Sequence, residues 1–236
     1  MRELIEKKFG SDSSFQIISQ EHTQMVSWML HWILIYSFTA EWLTNTGLFA
    51  TILTNTQLYG NHFLNVVQMR PQSLLRYVIA SFLLARGQPL QKYQINKDAL
   101  EEIALPLALQ CLNSSGDEEA DAFSSFLRAI YEDYDLDKAI EFVEAMAAQA
   151  KDDFLLTNYV FDIKKQAYLL IFQTKCKLFR AVELEEIAKY MGAKNVQSLC
   201  EDIQGHLSAD GFDATIDESG GRGTISCSVK KKFDSE

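Results

Sequence analysis

With 236 residues, 47% of them hydrophobic and 23% charged, the chain can bury one large helical core or two small ones and is too apolar to stay disordered. Its formal net charge of −10 argues against broad electrostatic binding to nucleic acid or to an anionic membrane, which needs surplus Lys and Arg. The four cysteines, at 111, 176, 200 and 227, form no CxxC pair and read as reduced structural thiols of a cytosolic-type compartment.

The N-terminal run "MRELIEKKFG" is charged and lacks the apolar region of a secretory signal. Residues 1–20 read as a flexible or partly helical lead-in. "MVSWMLHWILIYSFTAEW" (25–42) is the most apolar run. Its uncharged part, Met25 to Ala40, is sixteen residues, short of the roughly 20 that a membrane span needs, and Lys and Arg do not bracket it. At about 100° per residue, Thr23, Ser27, His31, Ser37 and Glu41 share one third of the helical wheel, and nearly all the rest is apolar or aromatic. This pattern predicts a soluble helix covered by neighbours on several sides. Trp28 and Trp32 are then core packing, and His31 is bonded to a neighbouring backbone or side chain.

"RPQSLLRYVIASFLLARG" (70–87) predicts a helix with Pro71 in its first turn, Gly87 just past its end, and Leu74, Leu75, Val78, Ile79 and Phe82 on one face. "NKDALEEIALPLALQCLNSSGDEEAD" predicts a helix kinked or broken near Pro106, followed by a Ser/Gly/Asp loop. "YEDYDLDK" reads as a solvated acidic loop. It leads into a helix capped by Asp135, with Ile140, Val143 and Ala147 on one face. Phe154 to Phe179 follows as one or two helices. Elements of this length with short loops suit stacked helix pairs, although no strict repeat period is present.

Beyond residue 180 the pattern changes. "VELEEIAKYMG" and "NVQSLCEDIQGHLSADG" predict two short helices joined by a Gly-containing turn, the second capped by Asn195. Then Phe212, Ala214 and Ile216 alternate with polar residues, a Ser/Gly stretch turns the chain, and Ile225, Cys227 and Val229 alternate again. That is a β-hairpin, with "GGRG" in its turn. Helix, turn, helix, hairpin makes a winged helix over 181–230, leaving 231–236 as a frayed tail.

No catalytic constellation emerges. The histidines at 22, 31, 62 and 206 form no HxH or HExxH pair, and no phosphate-binding glycine loop is present, so neither enzyme activity nor a cofactor or metal is expected. "NSS" at 113–115 matches a glycosylation acceptor, a motif too short to weigh against the absent secretion signal. Nor does the winged helix suit sequence-specific DNA binding. Glu201 and Asp202 lie on its second helix and Glu183, Glu185 and Glu186 on its first, where phosphates would be repelled. A protein–protein module fits better, the hairpin offering its edge to a partner strand.

Four runs carry a family resemblance. They contain W-x-x-H-W (28–32), L-R-Y (75–77), Y-x-x-[Y/F]-D-[L/F]-D (131–137), and D-F-[LF]-L (153–156) followed by L-x-I-F-x-[TS]-x-C (169–176). In this order they resemble the PCI-domain family, in the branch found in eukaryotic translation initiation factor 3, over most of residues 20 to 225. Family members have a longer helical N-terminal half and a further helix after the wing, so a core fragment or a short divergent member is expected.

The resemblance implies a mainly α fold: a helical-repeat, solenoid-like array over 21–180, then a winged-helix subdomain with a small β-hairpin, together a PCI domain. It also implies a cytoplasmic, non-catalytic scaffold. Such a scaffold binds other initiation factor 3 subunits of PCI and MPN type, reaches the small ribosomal subunit through the complex, and needs neither membrane nor cofactor. The expected partner-binding residues are Phe212, Ala214, Ile216, Thr224, Ile225, Cys227 and Val229. A second reading is a PCI subunit of the proteasome lid or signalosome; a third is a winged-helix nucleic-acid binder.

Overall fold

The computed structural model describes residues 20–39, 49, 52–53, 62–69, 71–86, 100–115, 121–178, 181–183, 212–217 and 224–229. Its helices are α1 (Gln20–Thr39), α2 (His62–Met69), α3 (Pro71–Arg86), α4 (Leu105–Ser115), α5 (Ala122–Tyr131), α6 (Leu136–Asp152) and α7 (Val160–Leu178). A π-helical turn, Leu100–Ala104, leads into α4, and a 3-10 turn, Thr157–Tyr159, leads into α7. Three short strands follow: β1 (Ala181–Glu183), β2 (Phe212–Asp217) and β3 (Thr224–Val229). The chain is mainly α, as its periodicity requires. It separates into two compact units, Met1–Ile163 and Lys164–Glu236, dividing inside α7.

In the first unit, helices pack on their neighbours in the chain: α1 on α2, α2 on α3, α3 on α4, α4 on α5 and α5 on α6, with α3 also reaching α5. The central element is α3. From Leu74 to Ala85 every residue except Arg76 and Tyr77 is buried, so the face predicted from Leu74, Leu75, Val78, Ile79 and Phe82 is only part of what the core covers. Helix α5 adds Phe123, Phe126, Leu127 and Ile130, and α6 adds Ala139, Val143, Met146 and Ala150. Pro106 is the second residue of α4, directly after the π turn, so the helical ladder widens where proline cannot donate its N–H, and the helix runs on to Ser115.

Between α5 and α6 the chain reverses over the acidic run. Tyr134 takes φ 53°, in the left-handed region, and the Asp135 N–H bonds back to the Ala129 carbonyl at 2.9 Å. That bond closes the helix end over seven residues, one more than a Schellman stop, and Tyr134 takes the left-handed conformation that glycine usually supplies at helix ends. Asp135 then caps α6 as predicted, its carboxylate accepting the Lys138 N–H at 3.1 Å.

Helix α1 corrects the sequence reading. It is not covered on several sides. Val26, Leu30, Ile33, Leu34, Ser37 and Phe38 form one buried stripe, and the opposite side carries Trp28 (65% exposed) and Trp32 (57%) into solvent. Ser37, predicted on the polar stripe, is fully buried. Its hydroxyl donates to the Ile33 carbonyl at 2.7 Å, which removes the cost of burying it. His31 is exposed and keeps its Nδ1 2.7 Å from the Ser27 carbonyl of its own helix.

In the second unit the strands form one antiparallel sheet of order β1-β3-β2. Strand β1 corrects the prediction at Val182 and Glu183, which the sequence assigned to the start of a helix. Three residues show no usable alternation, and their ladder partners, Thr224 to Ser226, lie some forty residues downstream. The remainder of the predicted helix-turn-helix, the glycine turn, Gly87 and the two termini lie outside the described residues.

Candidate functional site

One polar node ties the helical unit together, and the runs L-R-Y and D-F-L-L supply Arg76, Tyr77 and Asp153 to it. Arg76, from L-R-Y on α3, donates from Nε and Nη2 to Asp121 Oδ1 at 2.9 and 2.7 Å. Asp121 is also the N-cap of α5, its Oδ2 accepting the Phe123 N–H at 3.2 Å. Close by, the Gln149 side chain near the end of α6 accepts the Ala122 N–H at 3.3 Å. The start of α5 therefore meets the end of α6, as an antiparallel pair requires, and Arg76 spans that junction.

Asp153, the first residue of D-F-L-L, closes the other side. Its Oδ1 accepts the Leu155 and Leu156 N–H groups at 2.9 and 3.2 Å, ending α6 in a tight turn. Its Oδ2 accepts the Tyr77 hydroxyl at 2.9 Å and lies 3.6 Å from Arg76 Nη1. Burial, and then the hydrogen bond to Asp153, push the Tyr77 phenol up to about 12. The Phe38 ring leans on Tyr77 at 6.1 Å and meets Tyr159 edge-on at 5.7 Å. The Tyr159 hydroxyl donates to the Phe38 carbonyl at 3.0 Å, fastening the end of α1 to the turn before α7.

The chemistry of this node is architectural. Tyr77 stays protonated through neutral pH and acts as a donor, not a base, while both carboxylates are occupied by N–H and O–H donors. Among the described residues, no three or more His, Cys, Asp or Glu side chains are placed to hold a metal ion, and no helix is long and apolar enough to cross a membrane.

The expected partner-binding residues come together in the sheet. The β2–β3 register sets Phe212 opposite Val229, Ala214 opposite Cys227 and Ile216 opposite Ile225, while Thr224 pairs with both Asp217 and Glu183. Because β3 is the middle strand from Thr224 to Ser226, Ile225 is not an edge residue. Among the described residues, β1 and β2 are each paired on one side only, and the longer of these two edges runs along Phe212 to Asp217.

Sequence reasoning noticed L-R-Y and D-F-L-L as family markers but assigned Arg76, Tyr77, Asp121, Asp153 and Tyr159 no role. The signal was an arginine within an otherwise apolar helix, which needs a charged partner wherever the core closes around it.

Comparison with known proteins agrees with the motifs. The chain is similar to the E subunit of eukaryotic translation initiation factor 3. It is 24% identical over 196 residues to the protein of that name from Cryptococcus neoformans, covering 83% of this chain and 39% of that protein. The Caenorhabditis briggsae protein of the same name is 22% identical over 178 residues, 75% of this chain and 50% of its own length. The one from Brugia malayi is 24% identical over 178 residues, 75% and 36% respectively. The chain thus spans at most about half the length of these relatives. No family model matches it.

Proposed function

We propose that the chain is a non-catalytic scaffold subunit of eukaryotic translation initiation factor 3 in the cytoplasm. It assembles with other PCI and MPN subunits and supports initiation-complex formation on the small ribosomal subunit. The observation that carries this reading is the similarity to the E subunit of that factor across three quarters or more of the chain. The convergence of two separated motifs, L-R-Y and D-F-L-L, on one structural node supports it further. The helices through Leu178 act as the solenoid-like array of a PCI domain, and residues 181–230 as its winged helix. The sheet order supports the latter, since a short strand ahead of the two predicted helices returns to flank the hairpin.

Assembly runs through the sheet. A partner strand adds to β2, where the outward N–H and C=O groups of Phe212 to Asp217 offer a ladder and β3 holds the strand from behind. Successive residues of an edge strand point their N–H groups alternately inward and outward. Of Ala214→Pro and Thr215→Pro, therefore, one breaks the ladder to β3 and one blocks the outer edge. Each variant is co-expressed with the other initiation-factor subunits and purified through them. The expected result is that the proline with the smaller loss of thermal stability abolishes co-purification. Normal assembly by that variant would sink edge pairing.

A further inference from the structure

We propose that the strand received by the β2 edge comes from another protein chain and carries Lys or Arg at two positions four apart, with apolar residues at the alternate positions between them. This deepens the edge-pairing reading of the sheet and rests on it.

The sheet is acidic. The charged residues of its three strands are Asp213 and Asp217 on β2 and Glu183 on β1, with no Lys or Arg among them. Successive positions along a strand alternate between its faces, so Asp213, Thr215 and Asp217 share one face of β2 and Phe212, Ala214 and Ile216 the other. Across the ladder Asp213 is opposite Ser228, and Asp217 is opposite Thr224, which is itself opposite Glu183. The row through Thr224 thus has an acid at both ends, and β3 sets no cation against either aspartate. A strand added at the outer edge takes the other flanking positions, where a cation stabilises the pair and an anion opposes it. Opposite Ala214 and Ile216 it stands on the apolar face. The complementary sequence is therefore basic, apolar, any residue, apolar, basic, in either direction.

The spacing of Lys and Arg selects the source. Of the 22 Lys and Arg residues in this sequence, no two are four positions apart. In a regular ladder, neither a second copy nor another stretch of the same sequence can then set a cation opposite both aspartates. A second β2 strand is matched worse still. Paired antiparallel over residues 213–217 with like faces together, it sets Asp213 against Asp217 at both ends. Only a different chain supplies the charge pattern.

The test uses the full chain co-expressed with the initiation-factor subunits and purified through them. Asp213→Lys combined with Asp217→Lys should lower its recovery about tenfold, because each opposite-charge pair changes affinity by up to about fivefold. Glu183→Lys, the same reversal on the far side of β3, should leave recovery unchanged. Asp213→Asn combined with Asp217→Asn keeps the shape of the strand and should abolish the loss of recovery that rising salt causes in the wild type. With p-benzoylphenylalanine in place of Thr215, between the two aspartates, cross-linked peptides should come from another chain and contain Lys or Arg four apart. Full recovery of the lysine pair, alongside loss with the edge-blocking proline, would leave edge pairing standing and overturn the charge assignment. Full recovery of both would overturn edge pairing and this inference together. Cross-links to this sequence or to a second copy of it would refute the choice of partner.

Discussion

Removing the Asp153 carboxylate is the sharpest probe of the node. In the wild-type protein that carboxylate accepts two backbone N–H groups and the Tyr77 hydroxyl and sits 3.6 Å from Arg76, with its side chain 9% exposed. Asp153→Ala strips all of these at once. Losing a side-chain cap costs about 1 kcal/mol, and losing a hydrogen bond to a charged acceptor costs about 1.5–3 kcal/mol. The Arg76 ion pair adds little, because Arg76 keeps its shorter bonds to Asp121. The sum is about 3 kcal/mol. Asp153→Asn keeps an oxygen for the N–H groups and an amide that can donate to the tyrosine oxygen, so it should cost about 1 kcal/mol. Urea denaturation followed by circular dichroism reads both. With a slope of about 2 kcal/mol/M, the alanine variant should lower the midpoint by about 1.5 M and the asparagine variant by about 0.5 M, with the slope unchanged. An alanine loss under about 1 kcal/mol, or equal losses for the two variants, would refute the claim that this carboxylate organises the junction.

Four further outcomes are expected. Because the Tyr77 pKa rises to about 12 from 10.0, its contribution is complete below pH 10 and disappears as pH climbs toward 12; Tyr77→Phe should flatten that alkaline loss in denaturation curves taken across the window. Asp135 is shifted the other way, held below its ordinary 3.8 chiefly by the Lys138 N–H, so its cap is intact above that pH and fails as the acid limb is crossed; Asp135→Asn should weaken the pH dependence there while keeping helicity. Tyr134→Gly relieves a left-handed non-glycine residue and should leave stability unchanged or raise it by up to about 1 kcal/mol in thermal melts. On α1, Leu30→Ala should cost about 2–5 kcal/mol and Trp28→Ala less than about 0.5 kcal/mol in the isolated chain, since the first is buried and the second is not. Equal losses would mean that the tryptophan side is covered after all.

The sequence by itself showed α1, α3, α4, α6 and α7 and several of their local starts, whereas α2 and α5 were not read from it. Pro71 opening α3, the Asp135 cap, the widened turn before Pro106 and the β2 and β3 strands depend on backbone chemistry and periodicity within a few residues, and these are readable one window at a time. The ordered motifs also pointed to the initiation-factor resemblance, because a motif is a local string whatever it later touches. Facing was not readable for α1. A helix apolar on nearly every side has no pattern that says which side the core takes, and the packing chose Leu30 and Ser37 over Trp28 and Trp32. Nor was the node readable. Arg76, Asp121 and Asp153 are separated by 45 and 32 positions in the chain, and only the antiparallel closure of α5 on α6 brings the two carboxylates to one guanidinium. Strand β1 shows the same limit. Three residues specify no ladder, and which strands became the sheet's edges was decided only when β3 was paired from both sides, a long-range event that no local pattern encodes.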